Sequence, residues 1–249
     1  MRWKYWLGLI LVGALALSVL LFLMRTPGFW RAYFLKGIEL ERIPNTHIYV
    51  SPELSARQRE SLLENYLKAA LRVQQLWGGR QAAPVVLVGG TPDFMQHYES
   101  RHHHAAVTYF SPLGTHTVIA AAQANVDVLA HELAHAELTA RIGWRKRETQ
   151  IPTWFDEGLA MLVDHRFPNW YDDLLLMSRG GREIPSLEEL RTPQAFFGSQ
   201  RSLLNYFVAK KITQDWYRQQ KSRGLREFSA QISSGTSFEA AWQGGQSGE

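Results

Sequence analysis

His131-Glu132-Leu133-Ala134-His135, followed seventeen residues after His135 by Pro152-Thr153-Trp154-Phe155-Asp156-Glu157-Gly158-Leu159-Ala160, is the stretch on which the reading of this chain turns. Two histidines four apart on a helix project from one face, about one turn separated. Their imidazoles can grip a single zinc ion, which leaves the intervening glutamate beside the metal-bound water. A catalytic zinc takes three protein ligands and keeps its fourth position for water; Glu157 is placed to be the third. Thr153 and Asp156 read as a variant of the capping box that opens a helix, setting Glu157 in its first turns. Asp156 is then expected to cap rather than to ligate, because adjacent helix positions diverge by about 100°. Gly158 would cost about 1 kcal/mol inside an ordinary helix. It is expected where this helix crosses closely over the one bearing the histidines.

Together the two motifs resemble the gluzincin metallopeptidases, specifically the minimal peptidase-MA-like group. There a His-Glu-x-x-His helix is followed by Trp-x-x-Glu-Gly-x-Ala, here Trp154 to Ala160. The resemblance implies zinc ligands His131, His135 and Glu157, with Glu132 as general base, and extends loosely from about Thr46 to Trp242. The separation of 22 from His135 to Glu157 is slightly longer than in aminopeptidase relatives. Gluzincins take an oxyanion donor from a later helix, and Tyr206 is the candidate here, with core packing of Tyr206 as the alternative. The resemblance also implies that the strand just before the zinc helix, Thr115 to Ala121, lies at the sheet edge. An extended peptide or protein substrate can add there as a strand.

Related classes fail on particular residues. The metzincin extension needs Gly and His three and six places after the second histidine, where this chain has Leu138 and Arg141. No Gly-x-Met-Glu-Asn segment precedes the zinc helix, so the anchor of the gluzincin aminopeptidases is missing and an endopeptidase is expected. A gluzincin-fold binding or assembly factor with little or no turnover is the competing expectation.

Net charge is +4, and +2 once Arg2 and Lys4 are set aside. Such a weak, dispersed charge gives no reason to expect a nucleic-acid partner. With no cysteine, thiol catalysis, disulfides and cysteine metal sites are excluded. No feature sets an oligomeric state.

Trp6 to Met24 is an uncharged run of 19 residues between Lys4 and Arg25, a length that suits one membrane-spanning helix. It ends without the small-x-small site of a cleavable signal peptide. The expectation is therefore an uncleaved anchor over residues 1–24 and a single-pass protein of a bacterial inner membrane, its catalytic domain periplasmic or outside the cell. Residues 25–45 read as a juxtamembrane connector, whose Phe29, Trp30, Tyr33 and Phe34 suit either a membrane interface or ordinary packing. The expected fold is α+β: after the anchor and connector, a minimal gluzincin-type domain over residues 46–242, with a small mixed sheet and a helical half. A disordered tail over 243–249 follows.

Within that domain, His47 to Val50 and Val85 to Val88 read as strands. Val107 to Phe110 and Thr115 to Ala121 form a hairpin around Ser111-Pro112-Leu113-Gly114. Ser51-Pro52-Glu53 starts a helix that runs to about Trp77 and stops at Gly78-Gly79. Its apolar face comprises Leu62, Leu63, Tyr66, Leu67, Ala70, Leu71 and Val73. Thr91-Pro92-Asp93 starts a short helix. Asn125 caps the zinc helix and Gly143 ends it. Capping boxes are expected at Ser186–Glu189 and Thr236–Glu239, and a long helix over about Arg201 to Gln220. Asp127 and Asp164 are second candidates for orienting the histidine ligands, with solvated positions as the default. His102-His103-His104, near His97 and His116, read as a polar loop over the cleft rather than a second metal site.

Overall fold

Alternating apolar side chains build a five-stranded mixed sheet, which the computed structural model describes within residues 3–25, 27–91, 93–98 and 106–246. Its strands are β1 (Glu41–Arg42), β2 (Ile48–Val50), β3 (Val85–Gly89), β4 (Ala106–Ser111) and β5 (Gly114–Ala120), in the order β1-β2-β3-β5-β4. The central three run parallel, and β1 and β4 pair antiparallel with their neighbours. Because side chains alternate across a strand, Ile48, Val50, Val86, Val88 and Ile119 feed one core, while Tyr49, Val85, Leu87 and Val118 feed another on the opposite face.

The hairpin forms where it was expected, but its order in the sheet differs. It is β4, not β5, that lies at the edge beside the histidine-bearing helix. A parallel β3–β5 pairing places β5 in the interior, and this crossover joins strands too far apart in sequence for local pattern to reveal.

Before the sheet come α1 (Trp3–Arg25), α2 (Pro27–Trp30), a π-helical turn (Arg31–Leu35) and α3 (Lys36–Glu39). The segment read as a connector is part of the fold: β1 joins the sheet, and Ala32, Tyr33 and Leu40 are buried against it. Packing thus claims Phe29 and Tyr33, whereas Phe34 is exposed. The expectation of a single-pass membrane protein is overturned, since among the described residues no helix is long and apolar enough to cross a membrane.

Then follow α4 (Ala56–Trp77) and α5 (Phe94–Tyr98), with α6 (Val126–Ile142), α7 (Trp144–Gln150) and α8 (Thr153–Ala160) carrying the motif residues. The rest is helical: α9 (Trp170–Met177), α10 (Pro193–Phe197), α11 (Ser202–Ser234) and α12 (Phe238–Gln246). α4 begins one turn later than Pro52 implies, because Ser55 and Gln58 form a reciprocal capping box. Leu67 and Leu71 lie outside its buried face, which is completed instead by Ala69, Leu76 and Trp77. α11 continues past Gln220 through a non-helical Lys221. Ser186 and Glu189 exchange the expected bonds, but around a turn rather than a helix. Ser237, not Thr236, receives the amide of Ala240 at the start of α12. That helix occupies residues 238–246, so residues 243–246 are helical rather than a tail; residues 247–249, like Pro92 and His102 to His104, lie outside the described residues.

α8 is wedged between α6 and α11. Phe155 packs edge-on or tilted against Trp216, Phe228, Phe238 and Trp242, with ring centroids 5.0–5.9 Å away. Gly158 faces α11 and not the histidine helix: a Cβ there would lie 2.3 Å from Thr213 Oγ1 and 2.5 Å from the Ala209 carbonyl oxygen. Gly158→Ala is accordingly expected to cost about 1–3 kcal/mol of stability by overpacking, measured by urea unfolding; an unchanged midpoint would contradict the close crossing.

On the far face of the sheet, His116 is buried beneath the Tyr33 ring, centroids 3.8 Å apart, and neither ring nitrogen has a hydrogen-bond partner. Burial, and then the Lys36 charge, push its pKa down to about 4. The unfolded chain, with a histidine near its ordinary value of 6.5, therefore binds the proton first. This contribution to stability is intact above pH 6.5 and is lost as pH falls toward about 4. Between about pH 7 and about pH 4.5 the loss should be about 2–3 kcal/mol in denaturant titrations. His116→Gln should remove most of that slope, and an identical slope in the variant would refute the assignment.

Candidate metal centre

Asn125 opens α6 by accepting the amides of Asp127 and Val128, each at 3.0 Å. The helix then carries His131 and His135 one turn apart, their ring centroids separated by 4.9 Å. α8 starts from an extended Pro152 with no side-chain cap, so the expected Thr153–Asp156 capping box does not form. Glu157 points from α8 at the histidine pair: its Oε2 lies 3.3 Å from His131 Nε2 and its Oε1 3.7 Å from His135 Nε2. All three residues are buried, with ligating atoms within 4.8 Å of one another.

This donor set fits a metal ion. Bonds of about 2.0–2.1 Å in a tetrahedron separate the donors by about 3.3 Å, close to the spacings found. Oε2 of Glu157 is buried without a hydrogen-bond partner, an arrangement that costs free energy unless a cation or proton compensates it. The outer nitrogens face carboxylates. His135 Nδ1 meets Asp156 Oδ1 at 2.8 Å, and His131 Nδ1 lies 3.3 Å from Asp164 Oδ2. Such partners fix the tautomer and turn Nε2 inward.

Each of these aspartates is held in turn by an arginine. Arg147 of α7 pairs with Asp156, and Arg166 reaches both oxygens of Asp164 at 2.5–3.0 Å. Asp156 is thus neither cap nor ligand but the orienter of His135. Asp127 does not reach the site; it pairs with Arg72 at 2.5 Å and accepts the His165 amide at 3.2 Å.

Burial disfavours charge on every member of this cluster, yet the pairings prevail. The neighbouring carboxylates of Asp164, Glu157 and Glu132 push His131 up to about 10 against burial. His135 is raised by Asp156 and Glu157. Arg147 and His135 hold Asp156 well below the usual carboxylate range, and His131 and Arg166 do the same for Asp164. In the metal-free protein the His131 proton stabilises the fold fully below pH 6.5, and that contribution is lost as pH rises through about 10. A bound metal takes over the proton's role, so its affinity should fall with acidity.

A cleft of about 600 Å³ opens onto His131, His135 and Glu157. Glu132 lines it, its Oε2 accepting a hydrogen bond from Thr108 Oγ1 at 2.5 Å. Thr108 stands directly opposite Thr117 in the hairpin, and their hydroxyls meet at 2.9 Å. Tyr206 of α11 also faces the cleft, its ring centroid 6.3 Å from that of His131. Burial, then the carboxylates of Glu157 and Glu132, push its pKa well above the ordinary phenol range, which keeps it a hydrogen-bond donor. Of the other histidines, His97 bonds the Asp93 carbonyl and His116 lies on the far side of the sheet.

The geometry therefore gathers His131, Glu132, His135, Glu157 and Tyr206 at one place. Thr108, Arg147 and Arg166 were missed by sequence reading. Only the Thr108–Thr117 pair left any signal, as a cross-strand match within the hairpin. No family model matches the chain, and comparison with curated proteins likewise finds no match.

Elemental analysis after dialysis should find about one divalent metal per chain, lost in His131→Ala and Glu157→Ala. Asp164→Asn should retain the site but weaken it about 10- to 100-fold in a chelator competition titration. Undiminished loading of Glu157→Ala would exclude it as a ligand.

Proposed function

We propose that the chain is a zinc-dependent peptidase of the gluzincin type that hydrolyses internal peptide bonds. The observation that carries this reading is the convergence of His131, His135 and Glu157, with Glu132 beside them in the same cleft. Two buried imidazoles and one carboxylate at this spacing suit zinc. The resemblance of the two motifs to gluzincin peptidases adds to that support.

Zinc held there would supply Lewis-acid polarisation of a carbonyl and would acidify its bound water toward a pKa of about 7. Glu132 takes the proton of the attacking water and hands it to the leaving amine. The Thr108 bond occupies one oxygen of its carboxylate and leaves Oε1 for that work. Tyr206, held protonated, donates to the carbonyl oxygen as negative charge develops on it. Asp156 and Asp164 keep both imidazoles in the ligating orientation throughout. The edge strand β4, paired on one side only among the described residues, offers backbone groups to which an extended substrate can add.

Cleavage inside a chain is favoured because the charged groups of the cleft are already engaged. Arg147 pairs with Asp156, Glu132 accepts from Thr108, and Glu157 faces the histidines. A substrate's terminal carboxylate would find no uncommitted cation among these groups.

A peptide-library digest by the zinc-loaded chain, read by mass spectrometry, tests the proposal. Glu132→Gln should keep the metal and lose about 10²- to 10⁴-fold in kcat. Tyr206→Phe should lose about 10- to 100-fold with KM little changed. Undiminished cleavage by purified Glu132→Gln would refute the mechanism. Metal binding without cleavage of any peptide would favour a binding factor on the same scaffold.

A further inference from the structure

We infer that the cleft selects peptides by a bulky apolar side chain flanking the cleaved bond, seated against Phe110 and Phe197; this rests on the peptidase reading above. Away from the metal ligands the cleft wall is apolar, formed by Ala106, Val107 and Phe110 of β4 and by Pro193, Phe197 and Gly198 at α10. Apolar walls of this kind gain affinity in proportion to the apolar area they cover.

The wall is rigid. Thr192 caps α10 by accepting the Ala195 amide at 3.3 Å, with Pro193 following it. Asn205 Nδ2 donates to the Phe196 carbonyl at 2.8 Å, and Phe196 itself is fully buried against Tyr206, centroids 5.1 Å apart. The neighbouring Phe197 is thereby held at the cleft, the residue 42% exposed. Such exposure of a large ring on a fixed backbone costs free energy that a ligand's apolar group recovers.

Arg147, the one arginine or lysine of the wall among the described residues, does not recruit an acidic side chain. The Arg147 guanidinium lies over the Phe110 ring, 3.6 Å from its centroid, while pairing with Asp156. Its charge is committed to the support of His135, and what it offers the cleft is a flat, stacked surface. Withdrawing it to bind a substrate carboxylate would unpair a buried aspartate, a costly exchange.

Three small hydroxamates that chelate zinc separate the possibilities: acetohydroxamate, 3-phenylpropanohydroxamate and succinate monohydroxamate. Calorimetry on the zinc-loaded full chain should rank the phenyl compound about 10- to 100-fold tighter than acetohydroxamate, with the succinate compound no tighter than acetohydroxamate. Phe197→Ala should remove most of the phenyl advantage and leave acetohydroxamate unchanged, and Phe197→Leu should restore it. Because Phe197 is half exposed, its truncation spares the fold. Equal binding of the phenyl compound and acetohydroxamate, tightest binding of the succinate compound, or a phenyl advantage that survives Phe197→Ala would each overturn apolar selection while leaving the metal centre standing. Failure of all three to bind would overturn the metal-centred reading as well.

Discussion

Glu157 presses against two buried histidines, and the rest of the structure is arranged to hold it there. Four carboxylates, Glu132, Asp156, Glu157 and Asp164, crowd a site in which Arg147 answers Asp156 and Arg166 answers Asp164. Concentrating negative charge in a buried place is unfavourable unless positive charge answers it. In the bare protein the histidine protons supply that charge, which is why His131 is so strongly basic. A divalent ion would supply it more compactly. The site is thus electrostatically incomplete on its own, and its incompleteness has the sign and geometry of a metal centre.

The scaffold meets this demand with close packing. α8 has eight residues and no side-chain cap, so little local preference secures it. Its placement comes from Phe155 in the aromatic cluster of α11 and α12, and from Gly158, whose missing side chain lets α11 approach. Position 157 is consequently set by residues on both sides of it, Phe155 against α11 and α12 and Gly158 against α11. From the opposite side, the β4 edge delivers Thr108 to Glu132 and Phe110 to Arg147. One strand therefore touches both Glu132 and the arginine that holds Asp156 against His135.

What could be read from sequence was short in range. The histidine pair, the Asn125 cap, the Gly143 stop and the β4–β5 hairpin depend on neighbours within a few residues, and the structure has each of them. Glu157 became legible because its motif is local even though its partner is not. The misreadings have a common cause. Asp156 satisfies a capping pattern, but its side chain is claimed by His135 and Arg147, contacts that only the tertiary fold creates. Gly158 signalled a close crossing correctly, yet nothing in its surroundings along the chain named α11 as the partner. The edge strand was misassigned because sheet order is decided by a parallel crossover. The apolar amino-terminal run was read by its composition alone, and among the described residues no helix meets the requirements of a membrane span.

X-ray absorption at the zinc edge of the loaded chain addresses the centre most directly. Two imidazole nitrogens and carboxylate oxygen at about 2.0–2.1 Å, with one further oxygen completing four-coordination, are what the three converging side chains require. A spectrum with no imidazole scattering, or with the histidine signal unchanged in Glu157→Ala at the same coordination number, would contradict the account.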